Sequence, residues 1–184
     1  INDFVKSQGL KLNIKVAENP ARLIEMLEAG EADVVAYPIP INNKLKQEVI
    51  YCGREDISSQ VLIQRANKGD KLLTDVTQLI DKNVYVKPNT KYSERLKNLD
   101  EELGGGIHIQ KVENDSIATE DLIEMVSLGE IPYTISDDNT ARLNKTYYWN
   151  INVDLKVSFP QRSSWVVRKS SPDLAKAIDE WASD

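Results

Sequence analysis

Two stretches of the chain repeat the same order of apolar and polar positions. Residues 15–35 and 111–135 each run from a strand-like segment into a helix with an apolar stripe, then to a glycine and a second short apolar run. The apolar helix cores begin at Leu23 and Leu122, 99 positions apart. Solenoid repeats recur every 20–50 residues or so. The longer spacing therefore predicts two similar lobes in one chain.

The first lobe is predicted to contain a strand–helix–strand unit. Residues 11–17 alternate between apolar and polar side chains, residues 20–29 place apolar side chains on one helix face, and residues 32–36 are a short apolar strand. Such a unit predicts a parallel sheet. Tyr37 and Pro38 are expected to leave the carboxyl end of this strand in a stiff loop, where open α/β sheets bind ligands.

The rest of the chain alternates between predicted strands and helices. Further strands are predicted at residues 58–65, 83–87, 107–112, 132–136, 149–158 and 165–169, with an interruption at 160–164. Further helices are predicted at residues 42–49, 73–80, 93–103, 117–129 and 140–144, and a final helix is predicted from a cap at 171–173 through Trp181. This order favours an α/β fold of two lobes, each a mostly parallel sheet flanked by helices.

The predicted lobes are joined by two crossings of the chain. Lobe 1 is assigned residues 1–65 and 162–184, and lobe 2 residues 70–157, with hinge crossings near 65–70 and 157–163. A double crossing is typical of hinged binders that hold a ligand between their lobes. The second copy of the repeat has a strand and a loop ahead of its helix. We therefore expect lobe 1 to lack its equivalent first strand in this sequence.

Charge and composition argue against several classes of function. The net charge is −6, so no basic field attracts nucleic acid. No apolar run has the length of a membrane span, and no signal-peptide pattern is present. Cys52 is the single cysteine, so no disulfide forms within the chain. These features argue against a nucleic-acid partner, a membrane span and an internal disulfide.

Four motifs in a fixed order carry a family resemblance. They are a helix-to-strand signature, the strand at residues 61–63, VYVKPNT at residues 84–90 and YTISDD at residues 133–138; the signature consists of Leu23, Leu27, Gly30 and Asp33. In this order they resemble the type 2 periplasmic solute-binding proteins (extracellular solute-binding protein family 3), which include polar amino-acid receptors of ABC importers. GEADVVAYPIPINN and PYTISDDNTARL are further similar to the amino-terminal solute-binding-like domain of the membrane-bound lytic murein transglycosylase F family.

This resemblance implies a periplasmic, non-catalytic sensing domain. We expect the domain to close on a small peptidoglycan-derived or amino-acid-like ligand and to regulate a downstream catalytic domain. Three alternatives stay open: the stand-alone receptor of a polar amino-acid ABC importer, an enzyme similar to cyclohexadienyl dehydratase, and the effector domain of a LysR-type transcription regulator.

The segment from Asn89 to Tyr92 is the first candidate for ligand binding. It joins a strand end to a helix start, where free backbone N–H groups and the helix dipole favour an anion such as a carboxylate. Asn89, Thr90 and Lys91 are expected to hold that anion, with Tyr92 beside them. A helix cap at Asn89 or Thr90 is the alternative, because caps and ligand clamps use the same residue types.

Asp137, at the end of a predicted strand, is the second candidate. In amino-acid receptors of the resembled family an acidic residue at this position pairs with the ligand's ammonium. A solvated residue, a helix cap, or Asp138 as the inward carboxylate are the alternatives. The arginine that grips the ligand carboxylate in those receptors is replaced by Leu45, and Lys44 or Lys46 would substitute only as a point charge. This departure favours a different or larger ligand, such as a muropeptide, or a site that has lost its function.

Tyr37, Pro38 and Arg162 complete the candidate ligand-binding set. All three are expected to line the space between the lobes, and Arg162 is alternatively a structural bridge.

No catalytic residue, metal or cofactor is predicted. His108 stands alone, no Cys/His cluster has metal-ligand spacing, and no nucleophile or phosphate-binding motif occurs. Asp137 and Asp138 do not form a glycosidase pair, because neighbours on a strand point to opposite faces.

Overall fold

The computed structural model describes all residues from 1 to 184. Seven α-helices form: α1 Asn2–Ser7, α2 Ala21–Glu28, α3 Asn43–Glu48, α4 Lys91–Glu102, α5 Thr119–Leu128, α6 Asp138–Lys145 and α7 Pro172–Ser183. Eight strands form: β1 Val34–Pro40, β2 Val49–Ser58, β3 Gln60–Arg65, β4 Asn83–Val86, β5 His108–Lys111, β6 Tyr133–Asp137, β7 Ile151–Asn152 and β8 Gln161–Arg168. This composition confirms the predicted α/β class. None of the helices combines the length and the apolar character that a membrane crossing requires.

The chain divides into two compact units, each with its own sheet. The first unit contains residues 1–57 and 161–184, and the second contains residues 58–160. The strand orders are β1-β8-β2 in the first unit and β5-β4-β6-β3-β7 in the second. Strand β3, which sequence analysis assigned to lobe 1, lies in the second unit because it pairs antiparallel with β6, from Gln60 opposite Asp137 to Gln64 opposite Tyr133.

The prediction of a parallel sheet is wrong for the first unit. Strand β1 pairs antiparallel with β8, and residues 11–17 form no strand. Of the apolar side chains of that segment, Leu12 packs against the core around Phe4, whereas Ile14 is 71% and Val16 90% exposed. Alternating polarity alone therefore did not produce a strand there.

Tyr37 and Pro38 lie within strand β1, not in a loop after it. The register shifts around them: Val35 pairs with Val166, whereas Ile39 pairs with Ser164, so β1 carries extra residues between the two pairs. Proline has no N–H to donate to a ladder. A bulge at this point lets the strand continue past Pro38.

Other predicted elements differ in extent. Strand β8 runs through the predicted interruption at 160–164, because its serines are buried and bonded: Ser164 Oγ donates to the carbonyl oxygen of Cys52 at 2.6 Å. Strand β2 was not predicted, and the predicted strand at 149–158 shrinks to the two residues of β7. The predicted helix at 73–80 is a 3₁₀ helix at Val76–Leu79.

The first sheet is covered on both faces. Val167 packs with Phe4 of α1 and Ile178 of α7, while its neighbour Val166 packs with Leu27 of α2. Because successive strand residues point to opposite faces, these two valines assign α1 and α7 to one side and α2 to the other.

The two repeated helices that the sequence predicts both form, and both end at a glycine. Helix α2 is followed by Gly30 at φ +78° and helix α5 by Gly129 at φ +77°, and the next strands begin at Val34 and Tyr133. Such left-handed positions favour glycine. In the second unit the predicted β–α–β order is present, since β4 is parallel to both β5 and β6.

Candidate functional site

The start of helix α4 is fixed by Thr90. Its hydroxyl accepts a hydrogen bond from the Ser93 N–H at 3.2 Å, and the Ser93 hydroxyl accepts one from the Thr90 N–H at 3.2 Å. This reciprocal arrangement is a capping box. Asn89, at φ +58°, makes the left-handed turn that leads into it. The side chain of Thr90 is thus engaged as a cap, while the helix start remains partly exposed.

Three of the predicted site residues converge in the second unit. Lys91 Nζ donates to Asp137 Oδ2 at 2.6 Å, and the Tyr92 hydroxyl donates to the same oxygen at 3.1 Å. The Lys91 and Asp137 side chains are 26% and 20% exposed. Lys91 Nζ also lies 5.5 Å from the Tyr92 ring centroid. We call Lys91, Tyr92 and Asp137 the α4–β6 cluster.

Asp138 does not join the α4–β6 cluster. It is the first residue of helix α6, and one carboxylate oxygen lies 3.7 Å from Arg142 Nη1. Its Oδ1 atom is buried without a hydrogen-bond partner. Of the two adjacent carboxylates, Asp137 is therefore the one that meets Lys91 and Tyr92.

Gln60 is a residue that sequence analysis missed. It begins strand β3 directly opposite Asp137, is 2% exposed, and its side-chain Oε1 has no hydrogen-bond partner. The available signal was the spacing of Gln60 and Gln64, two polar side chains on one face of an otherwise apolar strand.

The other predicted site residues belong to the first unit. Lys44 is exposed in the first turn of α3, whereas Leu45 is half-buried against the core around Leu27. Tyr37 and Pro38 expose their side chains on β1. These positions are therefore not part of the α4–β6 cluster.

Arg162 is held by a carboxylate of its own unit. Its Nη2 donates to Glu55 Oε2 at 2.8 Å, and its Nε donates to Oε1 of the same side chain. The hydrogen bonds from Arg162 lower the pKa of the Glu55 carboxyl. This bidentate pair leaves Arg162 engaged, on an exposed part of strand β8.

A cavity of about 430 Å³ also lies in the first unit. Its polar groups are bonded to one another: the Gly53 N–H donates to Asp179 Oδ1 at 2.6 Å, and Arg54 Nε donates to the Ala182 carbonyl at 3.2 Å. Burial, and then the charge of Asp179, raise the pKa of the Cys52 thiol to about 11. None of the predicted ligand-binding residues lines this cavity.

No group of three or more histidine, cysteine, aspartate or glutamate side chains is arranged to hold a metal ion.

Comparison with curated proteins finds membrane-bound lytic murein transglycosylase F proteins among the relatives of this chain. The chain is 29% identical over 182 residues to a membrane-bound lytic murein transglycosylase F of Desulfosudis oleivorans, covering 97% of this chain and 38% of that protein. It is 25% identical to the protein of the same name from Pseudomonas fluorescens, covering 91% of this chain and 34% of that protein. The chain thus spans about a third of the length of these relatives. No family model matches it.

Comparison with solved structures identifies the fold. The arginine-bound Gly52Ala mutant of ArgBP from T. maritima superposes with a TM-score of 0.79 at 20% identity, covering 99% of this chain and 80% of that one. The substrate-binding protein of an amino acid ABC transporter superposes with a TM-score of 0.74 at 20% identity, covering 99% and 77%. The chain therefore has the fold of amino-acid-binding proteins of ABC transporters and resembles the transglycosylase F proteins in sequence, which confirms the resemblance that its motifs predicted.

Proposed function

We propose that the chain is a non-catalytic ligand-binding domain whose α4–β6 cluster takes a small ligand carrying both an ammonium and a carboxylate group. The convergence of Lys91 Nζ and the Tyr92 hydroxyl on one carboxylate oxygen of Asp137 carries this proposal. A cation and an anion at the surface of one unit offer a counter-charge to each end of such a ligand. Peptidoglycan-derived peptides and free amino acids both have this chemistry.

The charge of each residue in the cluster decides which end of the ligand it is proposed to bind. Asp137 binds the ammonium group through charge-assisted hydrogen bonds, each of which contributes about 1.5–3 kcal/mol. Lys91 and the first backbone N–H groups of α4 bind the carboxylate, since the amino end of a helix favours negative charge. Tyr92 donates its hydroxyl to Asp137 and keeps that carboxylate oriented.

The preferred ligand is a peptidoglycan fragment and the preferred role is regulation. The relatives' shared name, membrane-bound lytic murein transglycosylase F, supports a protein that acts on the cell wall. In our proposal this domain lies in the periplasm and senses cell-wall peptides for a lytic transglycosylase domain. The half-buried Leu45, at the position where amino-acid receptors are expected to carry an arginine, disfavours a free amino acid. A receptor for an amino-acid importer is the second candidate, because the arginine-bound ArgBP shares the fold.

Isothermal titration calorimetry tests the binding function. The probes are L-arginine, Nα-acetyl-L-arginine, which lacks the ammonium, and the stem peptide L-Ala-γ-D-Glu-meso-diaminopimelate. We expect the stem peptide to bind more tightly than L-arginine, and Asp137→Asn to weaken it at least tenfold, which corresponds to about 1.4 kcal/mol. Asp70→Asn, which changes a carboxylate outside the cluster, is the matched control.

Two results would contradict the proposal. The absence of binding heat with every probe refutes a ligand-binding function of this kind. Unchanged affinity in Asp137→Asn refutes the assignment of the site. Regulation is tested in the full-length protein: peptidoglycan cleavage is measured with and without stem peptide, and a response that Asp137→Asn abolishes supports it.

A further inference from the structure

We infer that Gln60 is an additional ligand-binding residue, whose side-chain Oε1 accepts a hydrogen bond from the ligand's ammonium group beside Asp137. This inference rests on the proposed function and deepens it, because it assigns a neutral acceptor to the same end of the ligand.

The sheet register places Gln60 at the α4–β6 cluster. Gln60 and Asp137 are directly opposed on β3 and β6, so their side chains leave the same face of the sheet with Cβ atoms about 4.5–5.5 Å apart. Leu62 and Ile135, the next opposed pair on that face, pack with Leu96 of helix α4. Gln60 therefore points to the side of the sheet from which α4 supplies Lys91 and Tyr92.

The hydrogen bonds of Gln60 leave one buried acceptor open. Its backbone N–H donates to Ser158 Oγ at 2.8 Å, and its backbone carbonyl accepts from the Val157 N–H at 2.9 Å. The side chain is 2% exposed, yet Oε1 has no partner. Buried acceptors in proteins are almost always bonded, because leaving one unpaired is unfavourable.

Gln64 provides an internal comparison on the same strand and face. It is also 2% exposed, but its amide is fully used: Oε1 accepts from the Leu73 N–H at 2.8 Å, and Nε2 donates to the Leu73 carbonyl at 2.9 Å. Gln64 is thus a structural residue that ties a loop to the sheet. The amide of Gln60 makes no equivalent tie.

The chemistry of the pair defines the ligand group. Asp137 Oδ2 already accepts from Lys91 and Tyr92. The three N–H groups of a primary ammonium point in different directions, so a single carboxylate does not meet all of them, and Gln60 Oε1 supplies a further acceptor. The site therefore selects a primary ammonium over an N-acylated nitrogen.

Gln60→Met and Gln64→Met form a matched pair for the test, since each replaces a glutamine by an unbranched side chain of similar size. Thermal unfolding is followed without ligand. Affinity for the stem peptide, and for its derivative acetylated at both amino groups (that of L-alanine and the free one of diaminopimelate), is measured by calorimetry. We expect Gln60→Met to leave Tm unchanged or raised and to weaken stem-peptide binding about tenfold. We expect Gln64→Met to lower Tm by several degrees and to leave affinity unchanged.

The acetylated peptide adds a thermodynamic cycle. If Gln60 acts on the ammonium, Gln60→Met does not weaken the already poor binding of the acetylated peptide further. Wild-type affinity in Gln60→Met, or a loss of Tm equal to that of Gln64→Met, overturns this inference alone. A wild-type protein that binds neither the stem peptide nor L-arginine overturns the proposed function and this inference with it.

Discussion

Lys91 and Asp137 are bonded to each other, with Nζ 2.6 Å from Oδ2, although each is proposed to bind an opposite end of the ligand. Both side chains are partly buried, so water screens their attraction less than on an open surface. A ligand must therefore exchange this ion pair for two new ones. The measured affinity therefore reports the free energy of the new contacts to the ligand minus that of the Lys91–Asp137 pair.

Replacing Lys91 separates the two ends of the ligand. In Lys91→Met, Asp137 loses its cation and becomes available to an ammonium, while the carboxylate end loses a partner. L-arginine methyl ester has no carboxylate, and we expect it to bind Lys91→Met several-fold more tightly than it binds the wild-type protein. We expect the stem peptide to bind Lys91→Met more weakly than it binds the wild-type protein. Calorimetry at low and at 0.5 M NaCl measures both effects.

Lys97→Met is the control for Lys91→Met. Lys97 lies exposed on the same helix, so its removal changes the net charge equally without touching Asp137. If the ester and the stem peptide shift in the same direction and by the same factor in Lys91→Met, the Lys91–Asp137 pair does not gate the site.

Thr90 is expected to matter for stability through its cap. Thr90→Val removes the side-chain oxygen that accepts from the Ser93 N–H, and such losses cost about 1 kcal/mol. For a chain of this size we expect Tm to fall by roughly 2–4 °C. Thr90→Ser keeps the hydroxyl and should retain Tm in differential scanning calorimetry. An equal loss in both variants would show that the methyl group matters, not the cap.

The second unit was largely predictable because its signals are local. Strand β4 was predicted at 83–87 and forms at Asn83–Val86, and helix α5 was predicted at 117–129 and forms at Thr119–Leu128. In the first unit the burial of Ser163 and Ser164 in β8 could not be anticipated, because it depends on pairing with distant strands.

In the candidate site, too, the features with local signals could be predicted and those that depend on distant residues could not. The segments that supply Lys91, Tyr92 and Asp137 were visible as a helix start and a strand end. The bond between Lys91 and Asp137 could not be predicted from the sequence. The two residues are 46 positions apart, and only the parallel pairing of β4 with β6 brings them together. The open acceptor of Gln60 depends on every neighbour around it and has no sequence signature of its own.

Cys52 is expected to be unreactive in the folded protein. Burial raises its pKa to about 11, and only the thiolate attacks an electrophile. At pH 8 the alkylation rate with iodoacetamide should be on the order of 100-fold below that of the unfolded chain in guanidinium, whose thiol has a pKa near 8.5. Because the folded pKa is raised, the native rate should climb until about pH 11. A plateau near pH 9 would contradict the assigned environment.

Gly30 and Gly129, which end the two repeated helices, allow conformational strain to be separated from steric overlap. Both have φ near +78°, where a side chain costs about 1–2 kcal/mol. A Cβ at Gly30 meets nothing within 4 Å, whereas a Cβ at Gly129 overlaps Arg65 Nη1. We expect Gly30→Ala to lower the free energy of unfolding by the conformational cost alone, and Gly129→Ala to lower it by more.

The extra cost at Gly129 should come from displacing Arg65. Its guanidinium must then give up Asp70, to which Nε and Nη2 donate at 3.1 and 3.2 Å. This ion pair is exposed, and such pairs contribute about 0–1 kcal/mol, so the excess should be of that size. In an Arg65→Met background the two alanine substitutions should lower the free energy of unfolding equally. An excess that persists there would mean that the backbone around Gly129, and not the Arg65 side chain, excludes the methyl group.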